Sequence, residues 1–172
     1  LYTICTKKSI ICTKKERVVS ASRMWYHNGM MDFSYETRIR VLMNKYHFHF
    51  DKSLGQNFLI DDGYLSGIVA GAALEKEDRV LEIGPGMGFL TEKLAAAAGD
   101  VTAVELDERL CTILDEVFAD EKNITVVHGD ALKLDFAALA ETTGAKGFSR
   151  PFKIVANLPY YITTPLLFYF LD

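Results

Sequence analysis

With 172 residues, 49% hydrophobic and 24% charged, the chain has the apolar mass of one folded domain, which excludes a wholly disordered protein. No apolar run reaches the ~18 residues of a membrane span, so a soluble, cytoplasmic protein is expected. Three cysteines, Cys5, Cys12 and Cys111, form no CxxC pair and argue against a disulfide framework or a zinc site.

The net charge of -4 is unevenly placed: residues 1–50 carry nine Lys/Arg against three Asp/Glu, and residues 51–172 carry ten against twenty. An acidic body is poorly suited to the phosphate backbone, whose affinity comes from Lys and Arg displacing counterions. A nucleic-acid partner therefore needs basic surface supplied elsewhere.

The first stretch contains a near-repeat, "ICTKKSIICTKK", and no helical pattern long enough for a core. Residues 1–31 are expected to be a basic tail outside the fold, translated upstream of a start at Met24, Met30 or Met31, with a transit peptide as the alternative. From Asp32, "SYETRIRVLMNKY" predicts a short amphipathic helix with Ile39 and Leu42 on one face. "HFHFDKSLGQNFLID" follows as a loop, and residues 32–62 form an N-terminal helix with its loop. Asp61 or Asp62 then starts a helix carrying Leu65, Ile68, Val69 and Ala72 at helical spacing.

Residues 63–172 read as the beginning of a larger domain. Strand-like runs at 79–84, 101–107, 124–130 and 152–159 alternate with helical stretches near 89–98, 108–118 and 135–142. Continuous Val, Ile and Leu strands separated by helices predict a doubly wound, Rossmann-like α/β sheet covered on both faces. The chain stops just inside the helix after the fourth strand, which is expected to leave that strand as an unpaired apolar edge and the sheet incomplete at its C-terminus.

In "LEIGPGMGFLTEKL", Gly84, Gly86 and Gly88 lie between a strand and a helix, where backbone can approach a ligand closely. The third glycine of a dinucleotide fingerprint is replaced by Phe89, and Pro85 removes one N–H from the loop. The loop thus suits a nucleoside without a diphosphate. Glu105 ends the second strand 21 residues after Gly84, where a carboxylate can accept from ribose hydroxyls. Together these features favour S-adenosylmethionine over NAD. Asp130, at the end of the third strand, is placed either to accept from the adenine amino group or to cap the next segment.

"VANLPYYITTP" ends the fourth strand at the same edge. The side-chain oxygen of Asn157 and the carbonyl of Leu158 can accept the two N–H bonds of an exocyclic base amine, favouring a pyramidal nitrogen with its lone pair aimed at a methyl group. Pro159 fixes the turn and Tyr160 offers a ring face for a flipped base. The alternative is a strand terminator with two core tyrosines. His128 reads as a partly buried strand residue rather than a catalyst, and Lys52 as a solvated lysine that is able to meet phosphate.

"KSLGQNFLID", "LEIGPGMGFLT", "AVELD", "HGDAL" and "NLPYYITTP" occur in an order and spacing that resemble the ribosomal RNA adenine dimethyltransferase family of the kasugamycin-sensitivity type, from about Asp32 to Asp172. The resemblance implies a class I methyltransferase that transfers methyl groups from S-adenosylmethionine to N6 of two adjacent adenosines in small-subunit rRNA during ribosome biogenesis. It implies cofactor contacts at Asn57, Leu59, Gly84, Gly86, Glu105, Asp130 and Asn157. The target-base pocket would lie at Asn157, Leu158, Pro159 and Tyr160. Its partner would be small-subunit rRNA or a pre-30S particle, with no membrane, no metal and a monomeric state expected.

Members of the family continue past this point with more strands and a helical RNA-binding domain, so the 172-residue chain alone is expected to lack full activity. The related macrolide-resistance family, which methylates large-subunit rRNA, commonly carries NIPYH where this chain has "NLPYY". A third alternative is a non-catalytic nucleic-acid-binding relative.

Overall fold

The computed structural model describes residues 2–5, 9–12, 34–49, 61–135, 152–158 and 160–171. In chain order they form β1 (Tyr2–Cys5), β2 (Ser9–Cys12), α1 (Tyr35–Tyr46), α2 (Asp62–Ala72), β3 (Arg79–Ile83), α3 (Phe89–Ala95), β4 (Asp100–Glu105), α4 (Glu108–Val117), β5 (Ile124–His128), β6 (Lys153–Asn157) and α5 (Tyr160–Leu171). One sheet has the order β1-β2-β6-β3-β4-β5. The segment β6-β3-β4-β5 is parallel throughout, as the runs of β-branched residues separated by helices predict.

The helix boundaries follow local chemistry. Asp61 caps α2 by accepting from the backbone N–H of Tyr64 at 2.9 Å, and Asp107 caps α4 by accepting from that of Arg109 at 3.0 Å. Asp107 thereby belongs to the helix entry and ends β4 at Glu105, short of the expected residue 107. Helix α3 ends at Ala95 rather than near 98 because the N–H groups of Ala97 and Ala98 both turn back to the Leu94 carbonyl. Of the helix expected near 135–142, residues 136–142 lie outside the described residues; Ala131–Lys133 form a turn.

Side chains alternate across the sheet. Val80, Val101 and Val155 face a core built with Leu42 of α1, Leu65 and Ile68 of α2, Leu94 of α3 and Leu110, Ile113 and Leu114 of α4. Leu81, Ile83, Val104, Ile154 and Ala156 face the opposite core with Leu166 of α5. Burying each such Leu or Ile contributes about 1.5–3 kcal/mol. Helix α1 is also held by polar contacts: Tyr35 donates to Asp62 at 2.6 Å and Arg38 pairs with Glu92 at 2.5 Å.

The expected open edge at β6 is not what the structure has. Strand β2 pairs antiparallel with β6, with Ser9 opposite Asn157 and Cys12 opposite Ile154, and β1 pairs with β2. Residues 2–5 and 9–12 are thus part of the sheet, which corrects for those eight residues the reading of 1–31 as a tail outside the fold. The physical reason is the edge itself: the backbone N–H and C=O groups of "SIIC" pair with those that β6 would otherwise leave open, and two isoleucines in four residues favour the extended backbone this needs.

Candidate functional site

The order of strands in the sheet reverses at β3, with β4 and β5 laid down on one side and β6 on the other. Such a switch point opens a crevice at the carboxyl ends of the strands. Ile83 pairs with both Val104 and Ala156, so Asn157, Gly84 and Glu105 form a row one residue farther along three adjacent strands. Two strand spacings separate the outer members, ~10 Å. Glu105 in turn lies opposite His128, with Asp130 two residues beyond.

The glycine turn is fitted to both neighbours. Gly84 has φ +68°, and a Cβ there would stand 3.1 Å from Leu158 Cδ2, so the residue after Asn157 closes directly over the turn. Gly88 has φ +81°, and a Cβ would meet Leu114 and Phe118 at 2.8 Å, which makes its hydrogen the condition for packing α3 against α4. Gly86 donates its N–H to Glu105 Oε2 at 3.1 Å.

Glu105 is only 7% exposed, and its carboxylate is aimed by backbone. Oε1 accepts from the N–H groups of Leu106 at 2.8 Å and Asp107 at 3.0 Å, so the remaining acceptor capacity lies on Oε2 beside the glycine turn. Asp130 Oδ1 accepts from Leu132 N–H at 3.0 Å and Oδ2 pairs with Lys133 at 2.8 Å. The Lys133 ammonium, followed by that backbone bond, holds the carboxyl below its ordinary range. The capping role considered for Asp130 is therefore present, as a cap on the 131–133 turn.

His128 is exposed, not partly buried, and its Nε2 lies 3.2 Å from the Leu106 carbonyl, where it braces the peptide after Glu105. Asn157 is half-buried at the end of β6, and Leu158 packs into the α5-side core. Tyr160 is the first residue of α5. Asn57, Leu59, Lys52 and Pro159 lie outside the described residues.

Two features escape a reading of motifs. Leu106, next to Glu105, is 52% exposed, a large apolar surface at the rim of the crevice. Glu82, two residues before Gly84 and on the Glu105 face of the sheet, is 1% exposed, and neither of its oxygens has a hydrogen-bond partner. The acid inside "RVLEIG" was the available signal, masked by the apolar residues around it. Burial pushes its carboxyl up to about 8; the nearby Thr91 hydroxyl opposes this and the Glu105 carboxylate adds to it.

Among the described residues, no group of three or more His, Cys, Asp or Glu is placed to hold a metal, and no helix is long and apolar enough to cross a membrane.

Comparison with known proteins places this crevice in a family. The chain is 52% identical over 137 residues to a ribosomal RNA small subunit methyltransferase A from Lactiplantibacillus plantarum, covering 80% of this chain and 46% of that protein. It is 49% identical over 136 residues to the protein of the same name from Listeria monocytogenes, covering 79% and 46%. The chain thus spans about half the length of these relatives. Among solved structures, the 23S rRNA methyltransferase ErmE superposes with a TM-score of 0.58 at 35% identity, covering 67% of this chain and 43% of that one. A dimethyladenosine transferase from Plasmodium falciparum gives 0.53 at 31% identity, covering 67% and 38%. The family model for ribosomal RNA adenine dimethylases matches residues 47–172, nearly the whole of the parallel sheet and its helices, and the chain belongs to that family.

Proposed function

We propose that this chain forms the cofactor-binding and target-base half of an enzyme that dimethylates N6 of two adjacent adenosines in small-subunit rRNA, with S-adenosylmethionine as methyl donor. The observation that carries the reading is the row Asn157–Gly84–Glu105 at the switch point, with Leu158 seated on Gly84.

The site fits a nucleoside cofactor. Glu105, oriented by three backbone N–H groups, has acceptor capacity on Oε2 for a ribose hydroxyl. Leu106 offers an apolar face for the adenine ring, and Asp130 an acceptor for its amino group. Asn57 and Leu59 belong to the cofactor-contacting set by motif. When bound, S-adenosylmethionine supplies an electrophilic methyl group on its sulfonium.

The chain's own residues act on the base amine. Free adenine delocalises the N6 lone pair into its ring, which makes the amine a poor nucleophile. In the first transfer the Asn157 amide oxygen and the Leu158 carbonyl accept hydrogen bonds from its two N–H groups and hold the nitrogen pyramidal, lone pair toward the donor; in the second the one remaining N–H donates to one of these two acceptors. Pro159 restricts the backbone that presents that carbonyl, and Tyr160 stacks on the extruded base. The excess proton leaves after transfer, so no strong general base is needed.

The relatives at 49–52% identity carry small-subunit names, whereas ErmE, named for 23S rRNA, stands at 35%. "GQNFL" and "NLPYY" favour the same side. The test is incubation of the protein, extended to the length of its relatives, with labelled S-adenosylmethionine and unmethylated small or large ribosomal subunits. Nucleoside analysis should show N6,N6-dimethyladenosine in small-subunit RNA; label confined to large-subunit RNA supports the ErmE-like reading, and no transfer contradicts both.

A further inference from the structure

The chain leaves β4 through Leu106, and that residue's backbone groups are both taken up inside the protein. Its N–H donates to Glu105 Oε1 at 2.8 Å, and its carbonyl lies 3.2 Å from His128 Nε2 at the end of β5. Neither regular element reaches that carbonyl. Gly129 N–H donates to the Glu105 carbonyl at 2.8 Å, one residue earlier, and the first bond of α4 runs from Cys111 N–H to the Asp107 carbonyl at 3.1 Å, one residue later. His128 is therefore the partner that the Leu106 carbonyl has among the described residues. A carbonyl only accepts, so the neutral imidazole has to carry its proton on Nε2.

The Leu106 carbonyl and the Asp107 N–H belong to one planar peptide unit. His128 holds that unit at its oxygen, and Glu105 Oε1 holds it at its N–H, 3.0 Å away. A rotation of the peptide that breaks the first contact also breaks the second. His128 thus fixes, through a rigid plane, one of the donors that aim the Glu105 carboxylate. It fixes in the same way the backbone that projects the Leu106 side chain, 52% exposed, at the rim of the crevice.

We infer that His128 is a positioning residue for the nucleoside half of the cofactor, acting through the Leu106–Asp107 peptide on the Glu105 carboxylate and the Leu106 side chain. This rests on the cofactor reading above. The ring itself is exposed and adds nothing to either core, so its contribution is the preorganisation of groups that touch the ligand.

Equilibrium titration of S-adenosylmethionine, S-adenosylhomocysteine and adenosine into the 172-residue chain and two variants tests this. His128→Leu keeps bulk and cannot donate; His128→Gln can place an amide N–H near the position of Nε2. His128→Leu should bind all three ligands more weakly by a similar factor, roughly three- to tenfold for one lost hydrogen bond. His128→Gln should recover most of that loss, which a purely steric role of the ring would not allow. In the ligand-free wild type, long-range 1H–15N correlation spectra should show the neutral His128 ring protonated on Nε2. Unchanged affinity in His128→Leu, no recovery in His128→Gln, or a ring protonated on Nδ1 overturns the inference and leaves the cofactor reading standing. So does a loss seen for S-adenosylmethionine but not for adenosine, which places the effect outside the nucleoside half. No binding of any of the three ligands by the wild type overturns both.

Discussion

Lys153→Met should destabilise the fold more than almost any other single change in the parallel sheet. Lys153 opens β6, the strand that ends in Asn157, and its ammonium is buried with only 1% of the side chain exposed. It reaches Asp78 Oδ2 at 2.7 Å, the Ala73 carbonyl at 2.8 Å and the Ala72 carbonyl at 3.3 Å, tying β6 to the entry of β3 and the end of α2. Asp78 is fully buried, and apart from Lys153 its Oδ2 accepts from Glu75 N–H at 3.0 Å while Oδ1 has no partner. Met replaces the aliphatic stem but not the charge, so Asp78 is left as an uncompensated buried carboxylate. Breaking such a pair costs about 3–5 kcal/mol, and at ~2–4 °C per kcal/mol for a chain of this size the expected drop in Tm is roughly 6–20 °C. Urea unfolding of the wild type, Lys153→Met, Asp78→Asn and the double variant closes a cycle. The double variant should lose clearly less than the sum of the singles. A Lys153→Met protein within about 1 kcal/mol of wild type, the range of an exposed pair, would refute the reasoning.

Three further outcomes follow from the geometry. Gly88→Ala forces a Cβ against Leu114 and Phe118 at a left-handed φ, so unfolding should show a loss of about 1–3 kcal/mol from overpacking; unchanged stability would mean that α3 and α4 are not in that contact. Glu82 keeps a proton in the folded chain up to about 8 that the unfolded chain releases near its ordinary 4.5. Wild-type stability should therefore fall as pH rises through that window, and Glu82→Gln should gain on it progressively; parallel pH profiles of the two proteins would contradict this. Asn157→Ala, in protein extended to the length of its relatives, should abolish methyl transfer while leaving S-adenosylmethionine affinity within a few-fold; transfer near the wild-type rate would remove Asn157 from the mechanism.

The parallel sheet was legible because its strands are runs rich in Val, Ile and Leu that alternate with helical stretches, and because Asp107 marks the step from β4 into a helix by capping it. Gly84, Glu105 and Asn157 were legible as a group because a parallel fold delivers every strand end to one edge. The β2–β6 pairing was not: "SIIC" is four residues long, and a short apolar run carries no mark of the strand more than 140 positions away that it joins. Glu82 was hidden for a different reason. One acid in an apolar strand reads as an exception until burial and missing partners show what it lacks. The glycines also carried more than their motif implies, since Gly88 answers to Phe118 and Gly84 to Leu158, contacts that only the folded chain brings together.

The most direct test is equilibrium titration of S-adenosylmethionine into the 172-residue chain and its Glu105→Ala variant, with NADH as the control ligand. The account predicts selective binding of S-adenosylmethionine, weakened in Glu105→Ala by about 1.5–3 kcal/mol for a lost charged acceptor. Equal affinity in wild type and variant, or preference for NADH, would contradict the assignment of the Asn157–Gly84–Glu105 row as the cofactor site.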